Sequence, residues 1–176
     1  MLDLDNIFHN KLGAPPGIHL VIAPNAQGVG AEVVSDTQIQ VNPDTYLLPE
    51  PEAAFILAHE LGHIAHRDLH IAMNICNKLI QTEHPGRISG LPFFLYHQKK
   101  QENNADAYGQ ELYLKSGYPA SYFTNSLRRI QTNIHEFLHI PYWAHVKGSL
   151  NPLDGHYSMN DRYSLMVNRL GGASYG

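Results

Sequence analysis

The chain has 176 residues, 43% of them hydrophobic and only 16% charged, which is enough to bury the core of one globular domain without disulfides. A formal net charge of -4 offers no basic field for nucleic acid, and Lys99-Lys100 and Arg128-Arg129 are too short as runs to hold an anionic membrane surface. With Cys76 as the one cysteine, neither an internal disulfide nor a multi-cysteine zinc site can form; the residue is expected in the core of a cytoplasmic protein.

The first segment, "MLDLDNIFHNKLGAPPG", carries Asp3 and Asp5 where a secretory leader carries positive charge, and no apolar stretch follows, so it reads as untargeted. Residues 18–24, "IHLVIAP", and 37–42, "TQIQVN", are rich in β-branched and apolar residues, with "NAQGVGAEVVSD" between them as a third strand. They predict a small N-terminal antiparallel sheet. Next, "LPEPEAAFILAHELGHIAHRD" starts a helix, with Pro51 in its first turn and Glu50 and Glu52 complementing the positive end of its dipole. Further helices are expected at about 69–82, 93–116, 119–132 and 160–170, punctuated by "EHPGRISG", "SGYPA" and the irregular stretch 140–158. The apolar runs 53–58 and 91–96 fall far short of the roughly 20 residues a membrane span needs. Without repeats or linkers, residues 1–176 are expected to form a single, mostly helical α+β domain.

Histidine is the outlier at 12 residues, so a lone HExxH is only suggestive. In "HELGHIAHRD", residues 59–68, His59 and His63 lie one helical turn apart on the same face, the spacing that lets two imidazoles reach one ion. Glu60 sits beside them, off the ligand axis, as suits a general base. The residues around them, Ala53 to Ala58, Leu61, Ile64 and Ala65, make this helix apolar on nearly every side and therefore buried. Buried His and Glu side chains cost several kcal/mol unless satisfied, and a zinc ion would satisfy them. A catalytic zinc takes three protein ligands and leaves one position open. Glu102 and Asp106 in "QENNADAYG" face one way at i and i+4, with Ala105 between them to let two helices approach closely.

Three segments, "FILAHELGHIAHRD", "ENNADAYGQELYLKSGYPA" and "GHYSMNDR", resemble in order the signatures of the gluzincin peptidases related to the CAAX prenyl protease and the HtpX-type heat-shock proteases. The resemblance spans roughly residues 26–170. It implies a zincin-like fold, a zinc ion held by His59, His63 and Glu102, Glu60 as base, and Asp106 as a carboxylate holding a ligand histidine. It also implies that His156 and Arg162 face the open side of the metal, where a donor would steady an oxyanion. Tyr157 stands where the family usually has Pro, and the membrane segments of most relatives are not expected here. The expected function is zinc-dependent endopeptidase action on a peptide or protein substrate, which would lie extended along an edge strand in 26–34. The alternatives are a binding or regulatory module without turnover, and a latent enzyme whose segment 140–158 fills its own cleft.

A second HExxH, "HEFLH" at 135–139, has His145 six residues on, the metzincin ligand spacing, and Met159 beyond. Metzincins turn sharply at a Gly three residues after the second His, where this chain has Tyr142 preceded by Pro141. No Glu follows residue 136 to complete a Glu-ligand site downstream. The first motif is not a metzincin either, since Leu69 occupies the third-ligand position, leaving His66 and His70 beside the site or on the surface.

Overall fold

The computed structural model describes residues 1–26, 28–82, 91–123 and 159–172. Its strands are β1 (His19–Ile22), β2 (Ala31–Ser35) and β3 (Gln38–Val41), and its helices α1 (Glu50–Ala65), α2 (Asp68–Thr82), α3 (Leu91–Lys115) and α4 (Met159–Gly172). The fold is α+β, mostly helical, with the small sheet at the N-terminal end. The helix expected at 119–132 lies, beyond its first residues, outside the described residues.

The sheet is mixed where an antiparallel one is expected from the sequence. β2 and β3 form the antiparallel hairpin, but β1 runs parallel to β3, giving the order β1-β3-β2. Apolar alternation tells which face of a strand is buried and says nothing of its neighbour or direction. In this order β2 is an edge strand. The sheet turns Ile39 and Val41 into the core, and β2 is the strand that lies against α1.

The N-terminal segment contributes to that core through a π-helical turn, Asn6–Lys11, which buries Ile7 and Phe8, with Leu4 and Leu12 buried on either side of it. Their near-helical spacing was available in the sequence as a signal. Between β3 and α1, a 3-10 turn over Pro43–Leu47 buries Thr45 completely.

α1 is the central element: every residue from Glu52 to Gly62 is buried, as its predominantly apolar composition requires, and Glu52, His59 and Glu60 are carried into the interior with the rest. Pro51 lies in its first turn with Glu50 and Glu52. Phe55 packs edge-on against Tyr113 of α3, with ring centroids 5.8 Å apart, and tilted against Phe123 at 5.2 Å. α4 closes over α3, with Met166 wholly buried and its carbonyl accepting from the Gln110 amide at 2.9 Å. Cys76 is half-buried on α2, short of the core position expected for it. No helix among the described residues is long and apolar enough to cross a membrane.

Candidate metal centre

Two close approaches between α1 and α3 place the site. A Cβ added at Gly62 would lie 2.7 Å from Ala105 Cα and 2.8 Å from its carbonyl oxygen; one added at Gly109 would lie 2.8 Å from His59 N and 2.9 Å from its Cα. The absence of side chains at 62 and 109 thus lets the helices touch backbone to backbone, with Ala105 as the small residue facing Gly62. This contact carries Glu102 and Asp106 of α3 to His59 and His63 of α1.

The three expected ligands converge. His59 Nε2 and His63 Nε2 are 3.0 Å apart, with ring planes at 89°. Glu102 places one oxygen 3.5 Å from His59 Nε2 and the other 3.5 Å from His63 Nε2. For metal–ligand bonds of ~2.05 Å, the edges of a tetrahedron measure ~3.3 Å. These spacings therefore match a cavity for one small cation, and His59, His63 and Glu102 form a metal-sized group among the described residues.

The far sides of the two rings decide what the near sides can hold. His63 Nδ1 donates to Asp68 Oδ2 at 2.8 Å. His59 Nδ1 lies 3.0 Å from Asp106 Oδ1, a bent contact in which the charge attraction is sound although the hydrogen-bond angle is poor. With Asp106 and Asp68 beside the two Nδ1 atoms, the Nε2 atoms of both rings face the Glu102 carboxylate across the same small space, and as lone pairs they could accept one cation there. Three electron-rich groups at such distances repel unless positive charge sits between them. The donor set, two imidazoles and one carboxylate, is one that zinc accepts.

In the absence of a cation, a proton on His59 is what meets the two carboxylates, and a bound metal would take its place. Burial lowers the pKa of His59, but Asp106 and Glu102 outweigh it and push the ring up to about 10. Burial raises the Glu102 carboxyl, yet His59 and His63 hold it well below the usual range. For Asp106, burial again opposes ionisation, and Arg162 overcomes it, bringing the carboxyl down to about 2. Arg162 Nε and Nη2 donate to both Asp106 oxygens at 2.8 and 2.6 Å, and the pair is buried. Arg162 also borders the cleft, but its fork is fixed on Asp106.

Glu60 is buried with the ligands and borders the same cleft. Its burial raises the carboxyl pKa, with His59 and His63 pulling the other way. The cleft, of about 470 Å³, runs from the Gly30–Val33 segment of the β2 edge, across the ligands, to Gln98 and Gln101 on α3. Gly30 is fastened from behind: its N–H donates to Thr45 Oγ1 at 2.9 Å, and that hydroxyl donates back to the Gly30 carbonyl at 2.8 Å.

His156, the second motif (His135, Glu136, His139, with His145) and the segment 140–158 lie outside the described residues. His66 is outside the ligand group, its Nδ1 donating to the Gly62 carbonyl at 2.7 Å, and His70 is exposed. Asp68 escaped the sequence reading. It reaches His63 because Arg67 adopts a left-handed conformation (φ 56°) that folds α2 back on the end of α1. The only signal for it was an acid five residues after His63.

The sequence model of peptidase family M48 matches residues 22–139, more than half of the chain, including α1 and α3. No curated protein and no solved structure matches the chain.

Proposed function

From the premise that the chain belongs to peptidase family M48, we propose that it is a zinc-dependent endopeptidase whose ligands are His59, His63 and Glu102. The observation that carries this reading is the convergence of those donors, 3.0 to 3.5 Å apart, at the floor of an open cleft. Bound zinc would polarise the scissile carbonyl and lower the pKa of the attacking water towards about 7. Glu60 removes a proton from that water and passes it to the leaving amine; its burial makes the carboxylate a better base than one in solvent. Asp106 and Asp68 hold the two imidazoles so that Nε2 faces inward. Arg162 acts through Asp106, keeping it ionised and aimed at His59. His156 is assigned to the developing oxyanion on its place in "GHYSMNDR". The substrate lies extended along the edge of β2 that no strand among the described residues pairs with, backbone to backbone beside the ligands.

The test is metal content followed by hydrolysis of quenched peptides. Wild type should hold one zinc per chain and cleave. Glu60→Gln should keep the metal and lose at least about a hundredfold in rate, whereas Glu102→Ala should lose the metal. Changing His135 and His139 together to Ala should leave activity within a few-fold. Cleavage by Glu60→Gln at the wild-type rate, or full zinc occupancy in Glu102→Ala, would overturn the assignment.

A further inference from the structure

The charges lining the cleft are unbalanced even after the metal is counted. Among the described residues, four carboxylates line it, those of Glu32, Glu60, Asp68 and Glu102, and Arg162 is neutralised by Asp106 behind it. A dication would offset two of the four, leaving the cleft negative. Glu60, Asp68 and Glu102 are held at the centre itself, on or beside the ligand imidazoles. Glu32 is different: it is exposed, sits on the β2 edge, and is the one charged wall residue among those described that the centre does not use.

Its direction follows from the pleat. Ala31 and Val33, on either side, pack against the core, so Glu32 stands on the opposite face of β2. β3 occupies one edge of β2, with Gln40 as the partner of Glu32, and among the described residues no strand pairs with the other edge. A peptide added to that edge has one residue directly across from Glu32, with its side chain on the same face and its Cβ about 5 Å away. Gln98 and Gln101, on the α3 side, add no charge of their own.

We propose that Glu32 is a specificity-determining residue that selects substrates carrying Lys or Arg at the position paired with it. This rests on the reading of the cleft as a peptide site. A facing pair of opposite charges on a sheet favours the basic residue over a neutral one by about two- to fivefold, and over an acidic one by about tenfold. Because Glu32 is exposed, the preference should shrink as ionic strength rises.

The experiment uses one peptide sequence in which Lys, Gln or Glu is placed in turn at each position around the cleaved bond. kcat/KM is measured for wild type, Glu32→Gln and Glu32→Lys, and the same peptides are bound to zinc-loaded Glu60→Gln protein by fluorescence anisotropy. At one position wild type should prefer Lys; Glu32→Gln should flatten that preference and Glu32→Lys invert it. Peptides bound with this pattern but never cleaved would support the role of Glu32 while removing the peptidase reading. Cleavage with a flat charge profile, or a profile unchanged by Glu32→Lys, would overturn the role of Glu32 and leave the peptidase intact. Absence of binding at every position would overturn both.

Discussion

Replacing Gly109 by Ala tests whether the backbone contact between α1 and α3 sets the metal site. The new Cβ would meet His59 N at 2.8 Å, His59 Cα at 2.9 Å and the Ala58 carbonyl carbon at 3.0 Å. None of these atoms can rotate away, and comfortable carbon contacts begin at about 3.5 Å. The helices must therefore part locally by roughly 0.6 Å. Alanine gains about 1 kcal/mol over glycine within a helix, and such overpacking costs about 1–3 kcal/mol, so net stability should fall by no more than about 2 kcal/mol. The metal site has less tolerance. Glu102 travels with α3 and the imidazoles with α1, so separations of 3.5 Å would open to roughly 4 Å, beyond the ~3.3 Å edge a bound zinc requires. Zinc affinity should drop about ten- to hundredfold, read by competition with a chromophoric chelator, alongside a urea melt of the metal-free protein. Gly62→Ala, whose Cβ would meet the Ala105 backbone, should act the same way. Both wedges open one interface, so the double variant should lose less than the sum of the singles. Unchanged zinc affinity in Gly109→Ala with an unchanged urea midpoint would show that the contact is not what positions Glu102.

Other perturbations isolate single interactions. Arg162→Met leaves Asp106 charged and uncompensated in the interior and should cost about 3–5 kcal/mol in urea denaturation. Arg162→Lys should restore only part of that, because an ammonium cannot reproduce the two-pronged contact; full recovery would mean that charge alone matters. Arg67→Gly relieves a left-handed conformation that costs a side-chain-bearing residue about 1–2 kcal/mol, and should raise the melting temperature by a few degrees. A fall would reveal stabilising contacts of the Arg67 side chain. Thr45→Val removes both hydrogen bonds to Gly30 and should loosen the β2 edge, raising KM for peptides several-fold while kcat stays within twofold. A selective loss of kcat would move Thr45 from substrate positioning to the chemistry.

What the sequence disclosed, and what it hid, divides by physical range. Local rules sufficed to place α1 in the interior, because polar candidate ligands in an otherwise apolar helix make a contradiction that a bound cation would resolve. They sufficed also for Glu102 and Asp106, four residues apart on one face, and for Ala105 as a place where helices could meet. Strand order did not follow, since the alternation that locates β1 is equally compatible with parallel and antiparallel neighbours. Nor did Asp68, whose approach to His63 depends on one left-handed residue that nothing in Arg67 itself demands. The N-terminal turn was legible in the spacing of Leu4, Ile7 and Phe8, but a search of that segment for targeting signals alone passes over it.

The Asp106–Arg162 pair joins residues 56 apart in sequence, and it changes where the site ends. The family match stops at residue 139, after both helices that carry the candidate ligands. Taken alone, α1 and α3 would bring Asp106 into the interior to hold His59 and leave its charge with only that imidazole to answer it. Burial works against the ionised carboxyl there, and Arg162 is the foremost of the charges that outweigh it; without that cation Asp106 would hold the hydrogen on His59 Nδ1, and with it the inward lone pair of Nε2, less firmly. α4 supplies the missing cation through Arg162, anchored by Met166 in the core and by Arg169, whose Nη2 donates to the Asn103 side-chain oxygen at 2.6 Å. α4, which contributes none of the three candidate ligands, thereby supplies charge behind one of them, and it belongs to the candidate site as much as to the packing of the fold.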